Sequence, residues 1–341
     1  MKHNKIARYL GILVVSSICV VLWVPSALAV PDLFVGNFFG ETDDVLRFNG
    51  TTGAFLGTFV PTGSGGLTFP LGGTFGPDGN LYVSNSNADD VLRYNRTTGA
   101  FLSTFASSVG DAAGLSFGPD SNLYVANAST PGSVTKLNGT TGALITAFGS
   151  GQLLDPEGLT FGPDHNLYVA NVDGNDVLRY NATTGTFIDS FVAAGSGGLA
   201  APRDVIFGPD GNLYVTSFGT NAVLRYNGTT GAFLDAFVPA GSGGLSLPRD
   251  LLFGPDGNLY VGSFASGDIL RYNGNTGAFI DTFVAAGSGG LGGPTFLAFE
   301  DISAPTSVPE PATLVLLGGA LAGMVVARRK TIRGTSGRAT I

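Results

Sequence analysis

Three observations predict an all-β chain folded as a six-bladed β-propeller. The phrase Phe-Gly-Pro-Asp-Gly-Asn-Leu-Tyr-Val starts at Phe75 and returns with small changes at Phe117, Phe161, Phe207 and Phe253. A second phrase, Val-Leu-Arg-Tyr-Asn then Thr-Thr-Gly-Ala-Phe, recurs from Val45 (with Phe48 for tyrosine), Val91, Val134 in degenerate form, Val177, Val223 and Ile269, at offsets of 46, 43, 43, 46 and 46. A period of that length holding four short β-rich runs corresponds to one propeller blade. Finally, the two ends are complementary fragments of a period: 33–59 supplies strands b, c and d without an a, and 294–299 supplies an a without a b. Joining them in one sheet closes the ring and removes edges that would otherwise invite aggregation.

The best copy sets the expected elements: strand a at 203–207, b at 213–216, c at 223–226 and d at 232–237. Between a and b, Gly208-Pro209-Asp210-Gly211 puts proline at i+1, where its fixed φ suits a type I turn, and glycine at i+3, where φ can be positive. Leu-Tyr-Val then begins an inner strand covered on both faces, so its apolar run is continuous. Ser121 and His165 replace the last glycine in two copies, at a cost of about 1 kcal/mol each if φ stays positive. The sequons at Asn49, Asn95, Asn127, Asn138, Asn181 and Asn227 read as Asx and hairpin turns.

The flanks differ from the repeats. Lys2, Lys5 and Arg8 precede an apolar run at 9–23, and Ala27-Leu28-Ala29 gives a small-x-small cleavage pattern, so 1–29 reads as a signal peptide cut by signal peptidase. The sole cysteine, Cys19, lies in that run, which leaves the mature chain without a disulfide or thiol nucleophile. The repeat body is expected over 30–303, a linker over 304–311, a transmembrane helix over 312–327 and a basic cytoplasmic tail over 328–341. Sixteen helical residues span about 24 Å against a hydrocarbon core of about 30 Å, and the basic cluster stays on the cytoplasmic side. Between 30 and 310 stand nine basic and 25 acidic residues, a formal charge of −16, which repels phosphate backbones and excludes nucleic acid as a partner.

Pro309-Glu310-Pro311, the apolar helix and Arg328-Arg329-Lys330, in that order, closely resemble the PEP-CTERM sorting signal of Gram-negative bacteria. The resemblance implies transient membrane anchoring, recognition by an exosortase, removal of the tail, and delivery to the cell surface or an extracellular matrix. Eleven residues follow Lys330, more than that family usually carries. The body, with its Pro, Asp-Gly-Asn and Leu-Tyr-Val signature, resembles the NHL, SMP-30 and streptogramin-lyase-like six-bladed propellers, a group that mixes enzymes with binding platforms.

In this topology the a-b and c-d turns share one face, here called the floor, while the d-a and b-c connections share the other, the mouth, where a ligand is expected. Two polar sets fall at the mouth. Asn37, Asn85, Asn127 and Asn171 end strand b, with Ser217 and Ser263 in the last two full repeats. Glu157, Arg203, Asp204, Arg249 and Asp250 begin strand a in blades four to six, where the other blades carry Leu71, Ala113 and Thr295 or Gly72, Gly114 and Phe296. Paired guanidinium and carboxylate groups hydrogen-bond sugar hydroxyls well, and they equally form self-neutralising networks. Gly63, Gly195, Gly241 and Gly287 open Gly-Ser-Gly-Gly loops expected around the mouth.

No cofactor or metal is expected, with calcium or another divalent ion as the alternative raised by the acidic run 171–176, which lacks the spacing and bidentate glutamate of a known calcium loop. Asp44, Asp90, Asp176 and Asp268, just before the strand c cores, are expected to accept loop N–H groups. A lyase of the streptogramin type needs a histidine base, and His165, the sole histidine after the signal peptide, falls on the floor. A lactonase of the SMP-30 type holds a divalent cation; Glu157, Asn171 and Asp204 could serve, but Arg203 and Arg249 would oppose it. The sequence therefore points to an exported surface or matrix propeller that binds polysaccharide or protein, with a metal-dependent lactonase or lyase as the alternative.

Overall fold

The computed structural model describes residues 31–39 and 42–300. The signal peptide, the linker, the apolar segment 312–327 and the basic tail lie outside the described residues, as do Pro309, Glu310, Pro311, Arg328, Arg329 and Lys330. Six four-stranded antiparallel sheets make up the described residues, and in blade one the order is Pro294–Glu300, Asp32–Phe39, Thr42–Phe48, Phe55–Val60. Strand a of that blade comes from the far end of the chain: Asp32 pairs with Glu300, Leu33 with Phe299 and Val35 with Leu297. The ring closes as the complementary ends require.

Blade five shows how the repeat folds. Its strands are Pro202–Phe207, Leu213–Ser217, Ala222–Tyr226 and Phe233–Val238, each within a residue of the expected bounds. Gly211 donates its N–H to the Gly208 carbonyl at 2.9 Å with φ of 76°, and Ser121 and His165 accept the same left-handed geometry at 60°. The Asp210 carboxylate accepts from the Asn212 N–H (3.0 Å), the Asn212 amide (2.8 Å) and the Tyr214 hydroxyl (3.0 Å). That is why aspartate, asparagine and tyrosine recur together: one carboxylate ties off the turn and satisfies the polar tip of a ring whose body is buried.

The tyrosine is also the blade-to-blade contact. Tyr214 packs edge-on between Phe237 of its own strand d and Phe253 of the next strand a, at 4.9 and 5.1 Å. Tyr168 and Tyr260 repeat the arrangement, and Tyr260 meets Phe299 across the closing interface. Such edge-to-face pairs contribute about 0.5–1.5 kcal/mol each beyond area burial. Around the rim Arg271 of strand c bridges Asp281 of strand d (2.6 Å) and Asp256 of the floor turn (3.6 Å), a pattern repeated by Arg179 and Arg225.

Three local expectations are corrected. The Gly-Ser-Gly-Gly loops do not ring the mouth: they pack on the outer strand of the next blade, where a Cβ on Gly65 would stand 2.2 Å from the Phe101 ring, and the Tyr94 hydroxyl donates to the Ser64 carbonyl. A strand d lies at the rim, so the loop leaving it starts there. The aspartates at the start of strand c take side-chain donors, not loop N–H groups. Asn37, Asn85 and Asn171 donate to Asp44, Asp90 and Asp176 at 2.9, 2.8 and 2.7 Å, and Ser266 donates to Asp268. Among the sequons, Asn49, Asn95, Asn138, Asn181 and Asn227 form Asx turns, each side-chain oxygen accepting from threonines two and three residues on. Asn127 ends a strand and instead donates to Ser133 and Thr135.

Candidate functional site

Strand a lines the axis in every blade, and in every blade it begins with a bulge. In blade five the register slips between Pro202 and Val205, so Arg203 and Asp204 leave the ladder and their N–H groups turn to Thr216 Oγ1 at 3.2 and 2.8 Å. A bulge of this kind re-aims side chains, and here it directs them into the channel.

The structure brings Glu157, Arg203 and Arg249 into direct contact. Glu157 Oε1 accepts from Arg203 Nη1 and, at 3.1 Å, from Arg249 Nη2, which also reaches Oε2 at 3.1 Å. Both guanidiniums lie over phenyl rings, Arg203 over Phe218 at 4.7 Å and Arg249 over Phe264 at 5.4 Å. Those phenylalanines come from b-c connections and were not legible as site residues, because two other blades have Ser86 and Ala128 there. One carboxylate thus serves two arginines, Arg249 buried and Arg203 partly so. Burial pulls the Arg249 pKa down, and Glu157 opposes the shift.

Asp204 and Asp250 lie deeper, walled in by protein on every side but keeping some surface in the channel. Asp204 Oδ2 accepts the Leu251 N–H at 3.3 Å. Burial, against two backbone hydrogen bonds and with the Glu157 charge adding to it, pushes Asp204 up to about 7. Asp250 is raised well above the carboxylate range, first by burial and then by Asp204. At the rim of the mouth Asp155, also missed from sequence, is raised by burial and then by Glu157.

The asparagines are placed at the mouth but turned into the wall. Asn171 Oδ1 accepts the Leu154 N–H at 2.6 Å, Asn85 Oδ1 the Thr68 N–H at 2.7 Å, and Asn37 Oδ1 the Gly292 N–H at 2.9 Å. Each therefore latches the incoming d-a loop to strands b and c. Ser217 and Ser263 do the same for Ala200 and Ser246. Asn127 is the exception: its Oδ1 is buried without a partner, as are Thr295 Oγ1 and Arg203 Nε.

The channel between these groups encloses about 60 Å³, room for a few waters and far below the roughly 300 Å³ at which organic ligands begin to fit. A ligand larger than water or an ion must sit on the mouth. A wider depression of about 550 Å³ opens on the floor between blades four and five, lined by Asp164, Arg179, Asp210 and Asn212. Its polar groups are the turn and rim bonds that recur from blade to blade, so it reads as a by-product of the repeat.

Several of the donors that the sequence offers for a divalent ion already have partners. Glu157 is committed to two arginines, Asn171 and Asp176 bond each other, and Asn175 Oδ1 accepts the Ala201 N–H. Among the described residues no group of three or more His, Cys, Asp or Glu side chains is placed to hold a metal, and none forms a helix long and apolar enough to cross a membrane.

Comparison with solved structures gives the fold. A protein of unknown function from Bacteroides caccae superposes with a TM-score of 0.62 at 16% identity over 80% of this chain and 99% of its own. A chain of a nidogen/laminin complex gives 0.61 at 14% identity over 80% and 98%, and a streptogramin B lyase gives 0.52 at 17% identity over 73% and 72%. No curated protein matches the sequence. Residues 307–330 match the PEP-CTERM protein-sorting motif, which implies export, membrane-anchored sorting in a Gram-negative bacterium and processing by an exosortase. The described chain is a six-bladed β-propeller, a fold it shares with a streptogramin B lyase among others, and the sequence carries a PEP-CTERM protein-sorting motif at 307–330.

Proposed function

We propose that the exported propeller is displayed at the cell surface or in the extracellular matrix, where its mouth binds a polysaccharide or protein ligand. One observation carries this reading: at the start of strand a the repeat departs toward charged residues in adjacent blades, where such residues cost stability. Where blades two and three have Leu71, Gly72, Ala113 and Gly114, blades four to six bury Glu157 and Arg249 and partly bury Arg203, Asp204 and Asp250, and blade one leaves Thr295 Oγ1 without a partner. Buried ion clusters are no better for stability than apolar side chains of the same volume, so their concentration at one mouth favours recognition over scaffolding. Guanidiniums over phenyl rings suit hydroxyl-rich ligands, the rings offering faces and the remaining N–H groups offering donors. The lyase and lactonase reading gains no support from the mouth, which offers neither a histidine nor a set of free metal donors.

The test is the triple variant Glu157→Leu, Arg203→Met, Arg249→Met in the body 30–307, whose ring closes on itself within 32–300. An apolar triad should leave folding intact or raise stability by about 1–4 kcal/mol. Retention on the source organism's immobilised extracellular polysaccharide, or on its matrix proteins, should fall at least about tenfold, equivalent to about 1.4 kcal/mol. A folded triple variant retained as well as the parent would end the proposal.

A further inference from the structure

Both ends of the described chain leave the propeller through its floor. Glu300 ends strand a of blade one opposite Asp32, the first residue of strand b, while the other end of the same strand pair, Asn37 opposite Pro294, stands at the mouth. The exit is fixed by an ion pair from Glu300 to Arg96 of the neighbouring c-d turn at 2.9 Å, and Asp32 is held by Arg47 at 2.5 Å. Strand a is the innermost strand, so the tether departs close to the propeller axis.

Tether length then restricts orientation. Eleven residues, 301–311, separate Glu300 from the apolar segment, and eleven residues of any conformation reach at most about 36–40 Å. Turning the mouth to the membrane would carry the tether from the axis to the rim, three strand spacings or about 14 Å plus side chains, and then up a wall about 20 Å high. That path consumes the fully stretched length.

Charge favours the same orientation. Of the nine basic residues in the body, one on each strand c and Arg96 make seven on the floor half, each paired with an acid. The mouth half has only Arg203 and Arg249, both committed to Glu157, and adds Asp89, Asp111, Asp155 and Asp173 in its loops. Anionic lipid headgroups repel the mouth more than the floor.

We infer that, while anchored, the propeller rides floor-down on the lipid surface and presents its mouth outward, so that a ligand can be held before the exosortase acts. The inference depends on the sorting match and the strand topology, and stands whether or not the mouth binds a polysaccharide.

The experiment uses the chain from 30 to 341, which has no cysteine, with one probe cysteine, Thr229→Cys on the floor or Asp173→Cys in the mouth loop, both exposed. Each carries an environment-sensitive fluorophore, in phosphatidylethanolamine and phosphatidylglycerol vesicles containing a headgroup spin-labelled lipid. Quenching at position 229 should exceed that at 173 by at least about threefold, given the roughly 20 Å between the faces. The body without its tail should show neither. Asn275→Cys and Asn87→Cys are the second floor and mouth pair, should either first variant misfold. Equal quenching on both faces, or stronger quenching at the mouth, would overturn the inference.

Discussion

Replacing Asp204 by asparagine is expected to stabilise the protein, and more so as pH rises. In the folded chain this carboxyl is pushed from 3.8 up to about 7 by burial and by the Glu157 charge, while the Val205 and Leu251 N–H groups only partly oppose the shift. An acid raised in the folded state keeps its proton there after the unfolded chain has released it. Its contribution is therefore intact below pH 3.8, declines as pH rises and is lost in full above about 7. A shift of about 3 units at about 1.4 kcal/mol per unit places the cost near 4 kcal/mol at pH 8. Asparagine keeps an oxygen for the Leu251 N–H and has nothing to ionise. Urea unfolding of the body should show Asp204→Asn more stable than the parent by up to about 4 kcal/mol at pH 8, and by less than about 1 kcal/mol near pH 4. A difference that does not change with pH, or a loss of stability at pH 8, would refute the assignment of Asp204 as a buried, proton-retaining acid.

Other substitutions probe the rest of the framework. Glu157→Gln removes the shared counter-charge of Arg203 and Arg249 and should cost about 3 kcal/mol by urea midpoint, unlike the apolar triple variant. Asn171→Ala strands the Leu154 N–H and takes the amide donor from Asp176 Oδ1, a loss of about 1–3 kcal/mol, whereas Asn127→Ala, whose oxygen accepts nothing and whose partners are rotatable hydroxyls, should cost less than about 1 kcal/mol in the same titration. Ending the chain at Gly293 deletes strand a of blade one and exposes Asp32–Phe39 as an edge; light scattering should report self-association and calorimetry the loss of a single cooperative transition.

Much of the fold was legible because each repeat carries its own instructions. Turn proline and glycine, the Asp-Gly-Asn tie and a continuous apolar strand are local, and missing pieces at the two ends forced the closure. Local order within 203–250 also exposed the charged residues of strand a. What could not be read depends on contacts between elements whose separation no periodicity fixes. Arg203 meets Glu157 across 46 residues and Arg249 meets the same carboxylate across 92, so the sequence offers both partners without showing that they share one oxygen. The asparagine latches close over 17 residues at Asn85 and Asn171 and over 255 at Asn37, onto loops whose N–H groups carry no side-chain signal. Phe218 and Phe264 look like ordinary core aromatics until the fold lays the guanidiniums across them. The Gly-Ser-Gly-Gly loops were misplaced because their attachment to the next blade depends on which strand lies at the rim.

The mouth as binding face is tested most directly by hydrogen exchange on the body with and without the source organism's extracellular polysaccharide. Slowed exchange should concentrate at 154–158, 200–205, 217–220 and 246–251, the loops and bulges that surround Glu157, Arg203 and Arg249. Slowing confined to the floor turns, or to the outer strands, would contradict the account.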